Sequence, residues 1–138
     1  MIKEDCLFCK IAKGEIHSAT VYEDSHFTVI LDVNPATKGH CLIIPKEHFD
    51  NIYDLDGETA GKLFALATCI ARAMKDALKC DGLNLVQNNG EVAGQTVNHF
   101  HLHLIPRYEG DGLNLNWPQQ EISGEQLEEI RLSIKKSI

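Results

Sequence analysis

The stretch from His99 to Ile105 constrains the fold of this 138-residue chain more than any other part of its sequence. It reads His-Phe-His-Leu-His-Leu-Ile, so that imidazole side chains alternate with apolar ones. In an extended strand, successive side chains point to opposite faces of the sheet. A strand here would therefore place the histidines on one face and Phe100, Leu102 and Leu104 on the other. One face is predicted to build core and the other to carry chemistry.

The order of predicted elements indicates a single domain spanning residues 1–138. Apolar residues recur at helical spacing from an N-cap at Asp56 to Gly82, which predicts one long helix. Two shorter helices are predicted, one over 6–13 and one behind a Ser123/Gln126 capping box. This order fits the α+β class, a mostly antiparallel sheet with the helices packed on one face. The predicted strands are 19–23, 26–31, 40–45, 83–87 and 99–105.

Composition and charge restrict the partners of the chain. It carries 13 Lys and Arg against 20 Asp and Glu, a net charge of -7. No window is rich in Lys and Arg, which argues against extended nucleic acid as a partner. The sequence shows neither a signal peptide nor a run of about eighteen apolar residues, so we expect a cytoplasmic protein without membrane association. The negative net charge does not exclude a small anionic ligand, because backbone amides and histidines can hold a phosphate locally.

Histidines that share one face of a strand admit three explanations. They could be polar residues on the solvent side of a half-buried strand. They could bind a metal ion, although such centres usually add a carboxylate and this strand has none. They could also support nucleophilic catalysis, in which one imidazole attacks phosphorus and its neighbours hold the phosphate oxygens. Residues 88–96 favour the third explanation, since glycines, amides and hydroxyls suit an anion.

The cysteines indicate reduced thiols or a metal centre rather than a disulfide scaffold. There are 5 in the chain, an odd number at low density, which favours reduced thiols or metal thiolates. Cys6 and Cys9 are spaced so that two thiolates reach one zinc ion, and a redox pair fits less well because no strand precedes them. His48 and one histidine of the 99–105 strand are candidates for the other two ligands. His17 and His26 are expected to be surface residues.

Together these motifs resemble the histidine triad family, in its branch of small phosphoramidase-like, nucleotide-binding hydrolases. The resemblance implies a hydrolase or transferase that cleaves the α-phosphate bond of nucleoside 5′-phosphoramidates or acyl-nucleotides through a nucleotidyl-histidine intermediate. Dinucleoside polyphosphate hydrolysis and non-catalytic nucleotide binding are the alternatives. Beyond the histidine strand, the segments that carry the resemblance are Cys6-Leu-Phe-Cys9, Leu31-Asp32, Gly39-His40, Pro45-Lys-Glu-His48, Asn88-Asn-Gly90 and Gly94-Gln-Thr96.

The resemblance implies a role for each of several residues. His101 matches the nucleophile, and His103 and His40 match residues that contact the phosphate and help the leaving group. Asp32 matches the acidic residue that grips the ribose hydroxyls, a task suited to an ionised carboxylate. The resemblance also implies an apolar wall that binds the base, formed by Phe8, Ile11, Ile30 and Val33. The aliphatic residues of this wall could equally be ordinary core. The residues that match the loop around the phosphate are Asn88, Gly94, Gln95 and Thr96.

Zinc and dimer formation are implied in the same way. The metal would be structural, closed to substrate, and would pin the strand that carries His101. The family is commonly a homodimer, and its C-terminal segment can carry a tryptophan toward the partner's site. Trp117 resembles that element, or else packs locally. The residues at the zinc-ligand positions are Cys6, Cys9, His48 and His99.

Overall fold

The fold combines one long helix, two shorter helices and a five-stranded sheet, which confirms the predicted α+β class. The computed structural model describes residues 3–138. Within that range no helix is long and apolar enough to span a lipid bilayer. The helices are α1 (Leu7–Ala12), α2 (Gly57–Leu78) and α3 (Gly124–Ser137), with a 3₁₀ turn at Glu91–Ala93. The strands are β1 (Thr20–Glu23), β2 (Phe27–Leu31), β3 (Cys41–Pro45), β4 (Gly82–Val86) and β5 (Leu102–Arg107).

The sheet is antiparallel at every pairing and has the strand order β1-β2-β3-β5-β4. Strand β5 therefore lies in the interior of the sheet, between β3 and β4. His103 on β5 is registered against Leu42 on one side and Val86 on the other. Because both neighbours fix this register, the position of His103 is determined by the sheet rather than by a mobile loop.

The two faces of the sheet pack against different helices. Leu63 of α2 shares one buried cluster with Ile43, whereas Phe8 of α1 shares a second cluster with Leu42 and Ile44. Leu42 and Ile43 are successive residues of β3, so their side chains point to opposite faces. The expectation that the helices share one face is therefore wrong for α1. Its apolar residue Phe8 covers the second face, which places α1 close to the histidines.

The predicted histidine strand, 99–105, is shifted toward the C-terminus in the structure, because β5 begins only at Leu102 and continues to Arg107. The pairing with β3 stops before Pro45, which has no N–H to donate to a ladder. The Phe100 N–H instead donates to the carbonyl of Phe49 at 2.6 Å. The alternation of side chains survives this change, since Phe100, Leu102 and Leu104 all lie in the cluster with α2. His99 and His101 are also buried, at 0% and 7% exposure.

Gly39 turns the chain into β3 just before His40, and we expect its replacement to destabilise the fold. Its φ is +98°, and an added Cβ would lie 2.6 Å from Cδ1 of Leu78. Gly39→Ala should lower the free energy of unfolding by roughly 2 kcal/mol, measured by urea denaturation. Gly14→Ala is the control, because Gly14 has a φ of +79° and open space around it. A loss no larger than in this control would contradict the packing contribution.

The C-terminal part of the chain lies apart from both buried clusters. Helix α3 begins at the predicted capping box, in which Ser123 and Gln126 exchange hydrogen bonds. None of its residues is buried, and Ile130 is 48% exposed. Trp117, in the irregular segment before α3, is 80% exposed, which argues against local packing of this side chain. An amphipathic helix with no partner within the described residues marks a surface free to pack on another molecule.

Candidate active site and metal centre

The hydrogen bonds of His101 determine which of its ring nitrogens is free. Its Nδ1 lies 2.7 Å from the carbonyl oxygen of His99. A carbonyl oxygen only accepts, so Nδ1 carries the proton and Nε2 holds a lone pair. Burial lowers the pKa of His101 by more than the His99 carbonyl and the charge of Asp32 raise it. The ring is therefore neutral near pH 7, and Nε2 can attack an electrophile.

His40 and His103 form a directed hydrogen-bond chain. The Ala36 N–H donates to His40 Nδ1 at 3.0 Å, so the proton of neutral His40 resides on Nε2. This Nε2 lies 2.9 Å from His103 Nδ1, which must accept and leaves the proton of His103 on its Nε2. Burial lowers the pKa of both histidines, that of His103 to about 4. His103 thus presents an N–H next to His101, with the two ring centroids 4.9 Å apart.

Asp32 lies beside this chain and adds a negative charge to it. Its Oδ2 is 3.8 Å from His40 Nε2, and its side chain is 20% exposed. One possible ligand atom from each of Asp32, His40 and His103 lies within 4.8 Å of the others, close enough for a cation. Metal binding at His40 Nε2 would move the ring proton to Nδ1, against the N–H of Ala36. The arrangement therefore suits hydrogen bonding to a substrate better than metal coordination.

A cavity of about 460 Å³ opens beside His101 and His103, a size typical of small-ligand sites. Phe8 and Ile30 belong to a buried cluster and also line this cavity, so core and binding wall are one surface here. His17 lines the cavity too, although the sequence indicated only an exposed residue. No local pattern could have shown this, since His17 follows α1 in an irregular turn. The other expected residues that line the cavity are Ile11, Asp32, Val33 and Thr96.

The phosphate loop, residues 88–96, meets the cavity only at its end. Thr96 lines the cavity, whereas Asn88, Gly94 and Gln95 do not. The Asn88 side chain lies next to the carbonyl of Gly94, with its Nδ2 at 3.5 Å. Gln95 is 7% exposed and its side-chain amide bonds to three backbone groups of the protein. The side chain of Gln95 therefore points into the protein rather than into the cavity, and its amide atoms are bonded to the backbone.

The predicted zinc ligands converge at the start of α1. Their ligand atoms all lie within 4.8 Å of one another. Cys6 Sγ is 3.3 Å from His99 Nδ1, and Cys9 Sγ is 3.4 Å from His48 Nδ1 and 3.5 Å from His99 Nδ1. Zinc with ordinary Zn–S and Zn–N bonds sets sulfur and nitrogen about 3.6 Å apart in a tetrahedron. The four side chains match that spacing.

The outer nitrogens of both histidines also fit metal ligation. His99 Nε2 donates to the Pro45 carbonyl at 2.8 Å, and His48 Nε2 donates to the Asp50 carboxylate at 2.7 Å. Metal-ligating histidines characteristically donate their second N–H to such acceptors. With the proton on Nε2, each Nδ1 lone pair faces the thiols. Burial lowers the pKa of His99 to about 4, so its ring is neutral, as a ligand must be.

Backbone N–H groups complete the surroundings of the sulfur atoms. Cys6 is the N-cap of α1, and its Sγ accepts from the Cys9 N–H at 3.4 Å. The Lys3 N–H donates to Cys9 Sγ, also at 3.4 Å. Hydrogen bonds from N–H groups favour the thiolate form, which is the form that binds metal. The donor set, its spacing and its outer hydrogen bonds therefore fit a structural zinc ion.

Comparison with known proteins shows the family to which this chain belongs. The HIT domain model matches residues 13–110. The chain is 42% identical over 123 residues to adenosine 5′-monophosphoramidase HNT1 of Saccharomyces cerevisiae, covering 88% of this chain and 75% of that protein. It superimposes on a HIT family protein from Bacillus subtilis with a TM-score of 0.92 at 46% identity, covering 98% of both chains. A Zn-bound histidine triad family protein from Mycobacterium smegmatis gives a TM-score of 0.76 at 39% identity, covering 97% of this chain and 98% of that one. The chain belongs to the HIT domain family.

Proposed function

We propose that this chain is a nucleotide hydrolase or transferase that cleaves the α-phosphate bond of nucleoside 5′-phosphoramidates or acyl-nucleotides. The observation that carries the proposal is the pair of tautomers at the cavity, a lone pair on His101 next to an N–H on His103. Displacement at phosphorus needs a nucleophile and a donor for the developing charge. The relative named adenosine 5′-monophosphoramidase supports this substrate class.

In the proposed reaction, His101 Nε2 attacks the α-phosphorus and forms an N–P bond. The bond to the leaving group breaks, and its electron pair departs with the leaving group, which takes a proton from water. The N–H of His103 donates to the phosphate or to the leaving atom where negative charge accumulates. The His99 carbonyl, which holds the Nδ1 proton, stabilises the positive charge on the nucleotidyl-imidazole. Water then attacks the same phosphorus and loses a proton to the solvent, while the N–P bond breaks and its electron pair returns to Nε2. This step releases the nucleoside monophosphate and restores neutral His101.

The nucleoside part of the substrate occupies the apolar end of the cavity in this proposal. Asp32 accepts hydrogen bonds from the ribose hydroxyls, because its carboxylate has free acceptor capacity and faces the cavity. Phe8 and Ile30 pack on the base. Thr96, at the end of the phosphate loop, donates its hydroxyl to a phosphate oxygen. His40 acts indirectly, since its Nε2–H directs the N–H of His103 to the substrate.

We also propose that the metal centre is a structural zinc site and that the active unit is a homodimer. When bound, zinc supplies a crosslink between α1, the loop after β3 and the segment that leads to His101. The dimer is supported by α3, whose apolar residues Leu127, Ile130 and Ile134 are about half exposed. Light scattering in solution should give twice the mass of one chain, and a monomer would contradict the dimer.

The substrate class can be tested with a panel of purified substrates. We expect kcat/KM for adenosine 5′-phosphoramidate and an acyl-adenylate to exceed that for a diadenosine polyphosphate by about 10-fold or more. A denaturing quench at alkaline pH, which preserves the acid-labile N–P bond, followed by mass spectrometry should find a nucleotidyl group on the peptide that contains His101. Faster cleavage of the dinucleoside polyphosphate would favour that alternative. Binding of adenosine monophosphate (AMP) without any turnover would favour a non-catalytic protein.

The lowered pKa values predict the acidic side of the pH profile. Protonation of His101 would block its lone pair, and burial shifts that protonation to a pH below the ordinary histidine value of about 6.5. The pKa of His103 is also lowered, to about 4. We therefore expect kcat/KM to stay level from about pH 8 to about 6.5 and to fall only at lower pH. A loss of rate centred above about pH 6.5 would contradict this interpretation.

A further inference from the structure

Gln95 connects the phosphate loop to the metal centre through three hydrogen bonds. Its Oε1 accepts from the Gly90 N–H at 2.8 Å. Its Nε2 donates to the carbonyls of Asp50, at 2.6 Å, and Val97, at 3.1 Å. The backbone N–H of Gln95 returns a bond to the Gly90 carbonyl at 3.1 Å. Since the side chain is 7% exposed, losing any of these partners would leave a buried polar group unsatisfied, which is costly.

The carbonyls that Gln95 holds belong to the two chain segments that carry the metal-ligating histidines. Asp50 lies two residues after His48 and also accepts the outer N–H of that ring. Val97 lies two residues before His99. The side-chain amide of Gln95 therefore contacts the segment that carries His48, the segment that carries His99 and the turn at Gly90 in the phosphate loop. A displacement of either histidine segment must move this amide or break one of its hydrogen bonds.

The other end of this connection reaches the substrate cavity. Thr96, which lines the cavity, follows Gln95 directly and precedes Val97. A second hydrogen bond joins the phosphate loop to the loop that carries His48, because Asn89 Oδ1 accepts from the Ile52 N–H at 2.7 Å. The phosphate loop therefore rests on the loop that carries His48 at two points. Its shape depends on whether that loop is held in place.

We propose that Gln95 is a positioning residue that couples occupancy of the metal centre to the shape of the phosphate loop, and thereby to affinity for a nucleoside monophosphate. The proposal rests on the proposed function, because it takes the cavity to be a nucleotide site. Coupling between two binding sites is reciprocal. Zinc should raise the affinity for AMP, and AMP should raise the affinity for zinc by the same factor.

Calorimetric titration of AMP into zinc-loaded and chelator-treated protein tests this coupling. In the wild type we expect AMP to bind about 10-fold more tightly to the zinc-loaded form, within the usual range of such couplings. Gln95→Glu keeps the shape of the side chain but turns a carboxylate oxygen toward the carbonyls of Asp50 and Val97. We expect this variant to retain one zinc per chain while its coupling falls to about twofold or less. Gln119→Glu, at an exposed position, should keep the full coupling.

The outcomes separate this proposal from the proposed function. If AMP binds no form of the wild type, the nucleotide site itself is wrong. If AMP binds the folded wild type equally with and without zinc, or if Gln95→Glu keeps the wild-type coupling, the positioning role is wrong. Circular dichroism checks that each form is folded. If the chelator-treated protein or the variant unfolds, the side-chain amide resonances of Gln95 in zinc-loaded wild type provide the test. These NMR signals should shift when AMP is added, because Thr96 connects Gln95 to the cavity. An unchanged signal would overturn the proposal.

Discussion

Replacing His101 with alanine is expected to lower kcat for adenosine 5′-phosphoramidate by about 10⁴-fold or more, the scale seen when a catalytic nucleophile is removed. The reason is that His101 Nε2 holds the lone pair that forms the covalent bond in the proposed mechanism, whereas the neighbouring His103 presents an N–H. AMP affinity should stay within about threefold, because in the proposed site the ribose and base contact Asp32 and the apolar wall rather than His101. Steady-state kinetics and calorimetry measure the two quantities.

Matched variants show whether this loss belongs to the nucleophile. His26→Ala removes an exposed imidazole away from the cavity and should leave kcat unchanged. His103→Ala removes a hydrogen-bond donor and not the attacking atom, so a smaller loss of about 10²-fold is expected. No nucleotidyl group should be trapped on His101→Ala. Undiminished turnover by that variant, or an equal loss in His26→Ala, would contradict the mechanism.

The division of labour among the histidines follows from their partners rather than from their own pKa values. His99, His101 and His103 are all neutral near pH 7 because burial lowers each pKa. His101 carries its proton on Nδ1, whereas His99 and His103 both carry theirs on Nε2 and differ in the group that faces each ring nitrogen. Two rings donate to backbone carbonyls, while His103 accepts from His40. In the proposed function, neutral imidazoles on one segment would thus serve as a metal ligand, a nucleophile and a donor.

Local sequence signals predicted much of the fold. Most of the residues predicted for the site also lie together in the structure, either at the cavity or in the Cys/His cluster. The helical spacing of α2 and the capping box at Ser123 involve residues close in sequence, and both helices begin where predicted. Helix α2 ends at Leu78 rather than at Gly82, because Lys79 adopts the left-handed conformation of a C-cap and Gly82 begins β4. The alternation from His99 predicted which side chains enter the α2 core. The strand start was predicted too early, because it depends on Pro45 in another strand, whose missing N–H ends the ladder.

The parts that could not be predicted depend on long-range contacts. The tautomer of His40 is set by the N–H of Ala36, and nothing in the local sequence says that this turn folds back onto the ring. The amide of Gln95 suits a phosphate as well as a carbonyl, so its residue type alone does not show that it points under the loop. Helix α1 was placed on the wrong face because its short apolar pattern fits either side of the sheet.

Cys9→Ser is expected to abolish zinc retention and to lower Tm by roughly 10 °C, equivalent to about 3 kcal/mol for a domain of this size. Cys9 is 0% exposed, and its Sγ contacts the Nδ1 atoms of His48 and His99. A zinc ion there would crosslink three separate segments, and this crosslink would stabilise the folded state only. Metal analysis and thermal melts, with and without a chelator, measure both effects.

Chelator sensitivity separates a lost metal ion from a lost packing contact. The Tm of the wild type should fall on chelation toward that of Cys9→Ser, which should itself not respond. Cys41→Ser is the matched control, because Cys41 is also buried but lies outside the metal cluster. It should lose some stability and still respond to the chelator as the wild type does. A wild type that does not respond would show that Cys9 is a packing residue.

The pH dependence of the stabilisation by zinc provides a second, independent test of metal binding at Cys9. Burial raises the pKa of the Cys9 thiol, so zinc binding must displace a proton from it. Protons therefore compete with zinc, and the stabilisation by zinc should shrink as the pH falls from about 8 to about 6. The difference in Tm between wild type and Cys9→Ser should narrow over the same interval. A difference that stays constant with pH would mean that serine costs packing alone, since an uncharged thiol contact does not depend on protons in this range.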